Sequence, residues 1–292
     1  MLELIIPPVV AALVILSIHA YLGLHVIRRE VIFVDLAFAQ VAAFGTTVAL
    51  LFGIELGTTA SLLFAMGATL VGALVFSFTR MEESTVPQEA IIGIVYVVAS
   101  AAVILLAGLT AEGAEHIKET LTGTLIWVGW GDIVKMAVVY AVVGAFHFAL
   151  RRPFLEVTFH PERSRNVRLW DFLFYVSFGI VISFSVEIAG VLMVFSSLVV
   201  PAVVAFFFAR TLATALLVAW ASGTVAILAG IGASFWWDLA TGPLLVCSFG
   251  AVLLLAAGLK PFLGVPAGTP IRLPHEMQAG GDGTGEPPAG QS

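Results

Sequence analysis

Three polar side chains interrupt stretches of sequence that are otherwise apolar enough to lie in a membrane: Asp35, Gln40 and Glu89. Carboxylate and amide groups are costly to bury in hydrocarbon, so each one at membrane depth needs either a partner or a function. Their oxygens accept hydrogen bonds and can bind cations. These three residues are therefore the candidates for lining the path of a transported solute.

Each candidate also has a purely structural interpretation, which the sequence leaves open. Gln40 can bond a neighbouring helix and Asp35 can lie at the water interface, since positions five apart on a helix diverge by roughly 140°. Glu89 follows Pro87 at a helix start, where the helix dipole favours an acid. Small residues around Gln40 permit close helix packing: Ala37, Ala39, Ala42, Ala43 and Gly45.

The composition is that of an integral membrane protein. Hydrophobic residues make up 60% of the 292 positions and charged residues 11%, against roughly 25% charged residues in soluble proteins. Lipid is therefore the expected surroundings, and no nucleic-acid partner is expected. The one cysteine, Cys247, lies in an apolar run and cannot form a disulfide within the chain.

Nine apolar runs are each close to the ~20 residues that a membrane-crossing helix needs. The sequence therefore predicts an all-α, polytopic helical bundle. The junction "SVEIAG" between the sixth and seventh runs is so short that eight spans are an alternative. The runs cover residues 4–26, 31–52, 58–79, 88–109, 131–150, 170–188, 190–209, 212–234 and 238–259.

The basic residues predict the orientation, because cytoplasmic loops of membrane proteins are rich in Lys and Arg. If Arg28 and Arg29 face the cytoplasm, eleven of the thirteen basic residues fall on that side. The N-terminus is then outside and the C-terminus inside. The other nine are Arg80, Arg151, Arg152, Arg163, Arg165, Arg168, Arg210, Lys260 and Arg272.

Two segments differ from the spans. Residues 110–130 mix charged, apolar and tryptophan positions, which is typical of an external loop with a short interfacial helix. Residues 264–292 are rich in glycine and proline, which predicts a disordered cytoplasmic tail after a transmembrane domain of residues 1–263.

Enzymatic motifs are missing from the sequence. It has no Gly-x-Ser-x-Gly and no Cys/His spacing of the zinc type. Its three lysines follow Ile117, Val134 and Leu259, so there is no Gly-Lys pair and no phosphate-binding P-loop. We therefore expect no catalytic residue and no cofactor bound by this chain.

Several segments together resemble the membrane subunit of ABC importers for zinc, manganese and iron. The resemblance spans about residues 8–262 and depends on the order and spacing of five motifs. These are "GLHVIRRE" at 23–30, "EAIIGIVYVV" at 89–98, "ETLTGTLIWV" at 119–128, "GVLMVFSSLVVPAVVAFFFAR" at 190–210 and "GIGASFWWDLATGP" at 230–243.

The resemblance implies the fold of a type II ABC importer permease and a set of partners. Two permeases would pair with a separate ABC ATPase, which binds the ATP, and with an external metal-binding protein, in the inner membrane of a prokaryote. In such permeases a short helix after the proline docks into the ATPase. Here that helix would start at Pro201 and run to about Leu212, with Ala205, Phe207 and Arg210 at the contact.

The resemblance also assigns the cargo and exposes a departure. Family members have Gly-Asp-Ala-x-x-His in the second helix, whereas alignment on Gly45 puts Leu36 at the acid, Gln40 at the histidine and Asp35 one residue early. The expected function is import of a divalent metal ion, zinc or manganese, with Asp35, Gln40 and Glu89 on its path. The alternatives are a self-sufficient secondary carrier or channel, or the same fold moving another cargo.

Overall fold

The computed structural model describes residues 2–79, 86–109 and 113–262. Its side chains are described from residue 5 onward and, after the last gap, from residue 117. Arg80, Arg272, the domain boundary at 263 and the predicted tail at 264–292 lie outside the described residues, so the structure leaves those predictions as they stand.

The described residues form ten α-helices and no strand. The membrane-length helices have bounds close to the predicted apolar runs. Two short helices, α5 and α7, lie between them, and α5 is the predicted helix of the 110–130 segment. The bounds are α1 Leu2–Arg28, α2 Val34–Leu51, α3 Thr59–Thr79, α4 Gln88–Ala107, α5 Gly113–Thr122, α6 Trp130–Ala149, α7 Arg151–Phe159, α8 Val167–Phe208, α9 Leu212–Trp237 and α10 Thr241–Leu259.

Eight helices of the described chain are long and apolar enough to cross a membrane. The prediction of an all-α, polytopic bundle is therefore confirmed. One of the eight is α8, which contains 42 residues. A straight helix of that length would measure ~63 Å, about twice the thickness of the hydrocarbon core.

Helix α8 folds back on itself at Gly190, where the backbone has φ 75° and ψ 159°. Asp171, near its start, binds Arg29, the residue that follows α1, and a Cβ on Gly23 of α1 would touch the backbone of Leu198. Residues 171 and 198 would be ~40 Å apart on a straight helix, whereas residues 23 and 29 are only ~9 Å apart. Residues 167–189 and 191–208 are therefore two antiparallel spans, so the described part of the chain contains nine spans of membrane length.

Glycine is required at this reversal. Gly190 has a positive φ, and a Cβ there would collide with the backbone of Gly123, which also has a positive φ. The Thr124 amide donates to the Ile188 carbonyl at 3.1 Å, and a Cβ on Gly242 would collide with the Thr122 carbonyl. The segment after α5 is thus wedged between the turn of α8 and the start of α10.

The prediction that a new helix starts at Pro201 is wrong. The helix begins after Gly190 and continues through Pro201, which is buried, to Phe208. Proline is tolerated inside a membrane helix because neighbouring groups can satisfy the freed carbonyl. After an extended Ala209, Thr211 caps α9 by accepting a hydrogen bond from the Thr214 amide at 3.2 Å.

Candidate functional site

The bundle has two ends, which we name by a residue at each. The Arg29 end holds the end of α1 and the starts of α2, α4 and α8. The Glu187 end holds the turn of α8, helix α5 and the starts of α3 and α6. The predicted path residues Asp35 and Glu89 lie at the Arg29 end, in the first turns of α2 and α4.

Asp35 is buried in the protein, with 1% of its surface exposed. Neither carboxylate oxygen has a hydrogen-bond partner among the described residues. An ionised carboxylate in such surroundings is unstable unless a cation or a proton neutralises it. The Asp35 side chain is therefore shielded from solvent, although it lies in the first turn of α2.

Glu89 caps a helix, but a different one from that expected. Its Oε1 accepts a hydrogen bond from the Phe33 amide at 3.0 Å, and Phe33 is the N-cap residue of α2. The carboxylate of α4 therefore lies at the positive end of α2, where the dipole stabilises it. Its other oxygen, Oε2, is buried without a hydrogen-bond partner in the described part of the chain.

Gln40 lies about one and a half turns deeper in α2 and is 8% exposed. The helix around it packs closely, since a Cβ on Gly45 would lie 2.5 Å from the Phe64 carbonyl oxygen of α3. Within the described ranges, no group of three or more His, Cys, Asp and Glu residues is placed to hold a metal ion. The structure brings Glu89 to the start of α2 but does not gather the three candidates into one ligand set.

The predicted ATPase-docking residues separate into two groups. Pro201 and Ala205 are buried in the core of this chain, so neither is free to enter a groove on another protein. Phe207 is partly buried, with the Lys260 ammonium 4.7 Å from its ring centroid. Arg210 is exposed in the turn between α8 and α9. The expectation that Pro201 and Ala205 form this contact is therefore wrong, because helix α8 turns both side chains into the core.

Sequence reasoning missed a buried ion pair at the Arg29 end. The Arg29 Nη1 donates to the Asp171 Oδ1 at 2.6 Å, and the two side chains are 1% and 0% exposed. The guanidinium also lies over the Phe174 ring, 4.0 Å from its centroid. Asp171 lies within the apolar run 170–188. A charged residue at membrane depth is costly unless it is paired, so this aspartate could have been recognised in the sequence as needing a basic partner.

Two histidines near this ion pair have structural partners. The His25 Nδ1 lies 2.7 Å from the Thr158 Oγ1, which also accepts from the Arg29 Nε at 3.0 Å. The His147 Nε2 lies 2.8 Å from the Ser177 Oγ. These bonds join α1, α6, α7 and α8 at the Arg29 end, so the histidines serve packing there.

The Glu187 end contains an open cavity of about 490 Å³, the Glu187 cavity. Its wall is formed by residues of α2, α3, α5, α6 and α8 and of the loops next to them. Four of its lining residues are ionisable, namely Glu119, Asp132, Lys135 and Glu187, and seven carry a hydroxyl, namely Thr46, Thr58, Thr59, Ser61, Thr120, Thr124 and Ser183.

Three of these ionisable groups, those of Asp132, Lys135 and Glu187, interact with one another. The Lys135 Nζ donates to the Asp132 Oδ1 at 3.1 Å, one turn apart on α6. Glu187 interacts electrostatically with both. A Cβ on Gly57, just before α3, would lie 4.0 Å from the Glu187 Oε1. The Glu187 carboxylate thus lies between α6 and the positive end of α3.

Comparison with known families identifies the class of protein. The profile of the family described as "ABC 3 transport family" matches residues 1–260. The chain belongs to the ABC 3 transport family. The resemblance to the membrane permease subunits of metal-ion ABC importers is therefore confirmed. In this family the ATPase is a separate subunit.

Relatives in the ABC 3 transport family carry the names of different metals. The chain is 23% identical to a probable iron transport system membrane protein of Haemophilus influenzae, over 84% of this chain and 89% of that protein. It is 23% identical to the zinc uptake protein ZnuB of the same organism, over 85% and 95%. It is also 23% identical to the manganese transport protein MntC of Halalkalibacterium halodurans, over 87% of each.

A solved structure has the same fold. A chain of PsaBC from Streptococcus pneumoniae, in complex with Fab, superposes with a TM-score of 0.72 and 18% identity. The match covers 86% of this chain and 89% of the other. The fold is therefore that of an ABC importer permease, as expected from the sequence.

Proposed function

We propose that this chain is the permease of an ATP-driven importer that moves a divalent metal ion, zinc or manganese, received from an external binding protein. Membership of the ABC 3 transport family supports a permease. The names of the relatives, which span iron, zinc and manganese, support a metal cargo. An ATPase subunit would supply the energy, and two permeases would enclose the path.

Asp35 is the observation that carries this proposal. A buried carboxyl group with two oxygens that lack hydrogen-bond partners in the described chain would supply negative charge to a cation that replaces its proton during transit. Glu89 lies beside the same first turn of α2, and Gln40 is deeper on that helix. Oxygen ligands at different depths suit a path that binds its ion weakly enough to release it.

In the proposed orientation the Arg29 end faces the cytoplasm of a prokaryote and the Glu187 end faces outward from the plasma membrane. The N-terminus is then outside and the C-terminus inside. Exposed basic residues at the Arg29 end support this orientation: Arg28, Arg151, Arg152, Arg165, Arg168 and Arg210. Arg210 and Phe207 then face the ATPase subunit.

Reconstitution tests the proposal. The permease, its ATPase and its binding protein in proteoliposomes should take up radiolabelled zinc or manganese only with ATP. Asp35→Asn should lower the uptake rate at least tenfold, because the amide keeps the shape but loses the charge. Glu162→Gln is the matched control, since Glu162 is an exposed acid at the same end.

The outcomes separate the alternatives. Uptake driven by an ion gradient without ATP would indicate a secondary carrier. ATP-dependent uptake of another solute, with no metal moved, would indicate the same fold with a different cargo. Wild-type metal uptake by Asp35→Asn would remove Asp35 from the path and leave the family membership as the only support.

A further inference from the structure

We propose that Gln88 is a positioning residue of the cation path: its side-chain amide fixes the first turn of α4 and so holds the Glu89 carboxylate at the start of α2, the helix that carries Asp35. The inference rests on the proposed function, in which Glu89 is one of the path residues. It assigns a role to a neutral side chain that does not itself bind the ion.

Helix α4 needs such a support because little of its first part is buried. The structure describes this helix in full, and its buried residues are Ile92, Ala99, Val103 and Ala107. Only Ile92 lies in the first two turns, and Val86 and Pro87 before the helix are exposed. Helix ends with few buried contacts open easily. An acid in this turn therefore has a fixed position only if polar contacts add to the packing of Ile92.

The Gln88 amide supplies these contacts by binding two other helices. Its Nε2 donates to the Phe76 carbonyl of α3 at 3.0 Å and to the Tyr175 hydroxyl of α8 at 3.1 Å. An amide NH₂ group has two protons, so it can serve both acceptors at once. One side chain thus ties the first turn of α4 to α3 and to α8.

The Phe76 carbonyl explains why an amide suits this position. It lies in the last turn of α3, which ends at Thr79, and it also accepts from the Thr79 hydroxyl at 3.1 Å. The last carbonyls of a helix have no partner within the helix and form its negative end. An amide donor stabilises this end, whereas a carboxylate of the same shape would be repelled by it.

The Tyr175 hydroxyl is an anchor held by tight packing. Tyr175 is 0% exposed. Its ring centroid lies 5.9 Å from that of Phe76 and 6.3 Å from that of Phe38. Phe38 follows Asp35 by about one turn on α2. The anchor of Gln88 therefore packs against the same helix that carries Asp35.

Glu89 directly follows Gln88, so its place depends on the same turn. Its Oε1 accepts from the Phe33 amide at 3.0 Å, and its buried Oε2 has no hydrogen-bond partner among the described residues. If the turn loosened, the carboxylate could leave the Phe33 amide, and Oε2 would lose its defined position on the path. Residues that orient a metal ligand typically change metal affinity by about 10- to 100-fold.

A double-mutant cycle tests the positioning role. Equilibrium dialysis measures Mn²⁺ binding by the complete permease–ATPase complex in nanodiscs. Gln88→Met keeps an unbranched side chain and removes both donor protons, and it should weaken binding about tenfold. Glu89→Gln should weaken binding by a similar factor, and the double variant should bind no more weakly than Glu89→Gln. Wild-type affinity of Gln88→Met would overturn the inference, as would losses that multiply in the double variant.

Two tyrosine variants form a matched pair for this cycle. Tyr175→Phe keeps the ring and removes one acceptor of Gln88, so it should weaken Mn²⁺ binding about threefold. Tyr140 is also buried, but its hydroxyl bonds Ser185 between α6 and α8. Tyr140→Phe should therefore bind Mn²⁺ as the wild type does. Equal affinities of the two variants would contradict the role assigned to the bond between Gln88 and Tyr175.

Hydrogen exchange of the Phe33 amide tests the same role without a metal. In Gln88→Met this amide should exchange as fast as in Glu89→Gln, because the carboxylate no longer holds it. A wild-type exchange rate in Gln88→Met would overturn the inference. A complex that shows the expected exchange pattern but binds no Mn²⁺ would support the positioning of Glu89 by Gln88 and refute the proposed function alone.

Discussion

Arg29 and Asp171 form a buried ion pair, in which the Arg29 Nη1 and the Asp171 Oδ1 are 2.6 Å apart and both side chains are shielded from solvent. The pair ties the end of α1 to the start of α8, and the guanidinium also bonds the Thr158 hydroxyl of α7. Arg29 thus has a structural role besides the topological role predicted from its charge. Arg28 beside it is exposed.

Removing the Arg29 guanidinium should therefore lower the free energy of unfolding far more than removing a surface charge. We expect Arg29→Met to destabilise the protein by about 3–5 kcal/mol, because Asp171 then stays buried without its arginine. The double variant Arg29→Met/Asp171→Leu should recover much of that loss, because no charge remains buried. Thermal unfolding in detergent measures both effects.

Arg28→Gln is the matched control for the ion pair. It removes an equal charge from the adjacent position, and we expect a change within about 0.5 kcal/mol. If Arg28→Gln and Arg29→Met unfolded at the same temperature, the buried pair would have no special role in stability.

Adding a single carbon atom, the Cβ of alanine, at Gly190 should also destabilise the protein strongly. Gly190→Ala places a side chain at φ 75° and against the Gly123 backbone. The backbone conformation alone costs about 1–3 kcal/mol for a residue other than glycine, and the collision adds to it. We expect a strong loss of folded protein, measured by size-exclusion chromatography of a fluorescent fusion.

Gly250→Ala is the corresponding control in α10. Nothing lies within 4 Å of a Cβ at that position, and alanine favours a helix by about 1 kcal/mol. We expect equal or higher stability. Wild-type yield of Gly190→Ala would contradict the fold-back at this residue.

The spans and the family were predictable from the sequence because both depend on long patterns. Apolar runs of membrane length gave the helices, and ordered motifs gave the family. The reversal at Gly190 lies at the predicted junction between the sixth and seventh apolar runs. The second break, predicted at Pro201 because proline is the usual helix breaker, is absent from the structure. The contact between Gly123 and Gly190 was not predictable, because it depends on two segments far apart in the chain.

The candidate site was predictable only in part for the same reason. Asp35 and Glu89 were found because charged residues stand out in apolar runs. The partner of Glu89 was not predictable, since its carboxylate caps α2 through a contact across 56 positions. Asp132, Lys135 and Glu187 are unremarkable charges near the ends of spans, and only the folded chain gathers them around one cavity.

The docking proposal predicts a loss of complex formation from the exposed turn. Arg210→Glu and Phe207→Glu should reduce co-purification of the ATPase at least tenfold, because interfaces depend on a few central anchors. Membrane insertion and yield should be unchanged. Ala205→Glu should instead lower the yield itself, since Ala205 is 0% exposed.

Arg165→Glu is the matched control for docking. It reverses an exposed arginine at the same end of the bundle, outside the α8–α9 turn. We expect normal co-purification. Loss of ATPase co-purification with Arg165→Glu, or its retention with Arg210→Glu, would indicate that the ATPase contact lies elsewhere on this face.

Gln40 should influence which metal the transporter prefers. The family resemblance aligns it with a histidine, and its amide oxygen is a harder ligand than imidazole. Gln40→His should therefore shift the uptake preference toward zinc over manganese, because imidazole binds zinc more strongly. We expect at least a threefold change in the ratio of the two uptake rates, measured by competition in proteoliposomes.

Gln40→Leu separates a path role from a packing role. Leucine has a similar volume and no ligand atom, and it suits a position that is only 8% exposed. The variant should assemble with the ATPase as the wild type does, but take up metal more slowly, because one oxygen of the path is lost. Unchanged uptake of zinc and manganese by correctly assembled Gln40→Leu would show that the ion passes without this side chain. Asp35 and Glu89 would then carry the path alone, and the departure from the family histidine would have no bearing on the choice of metal.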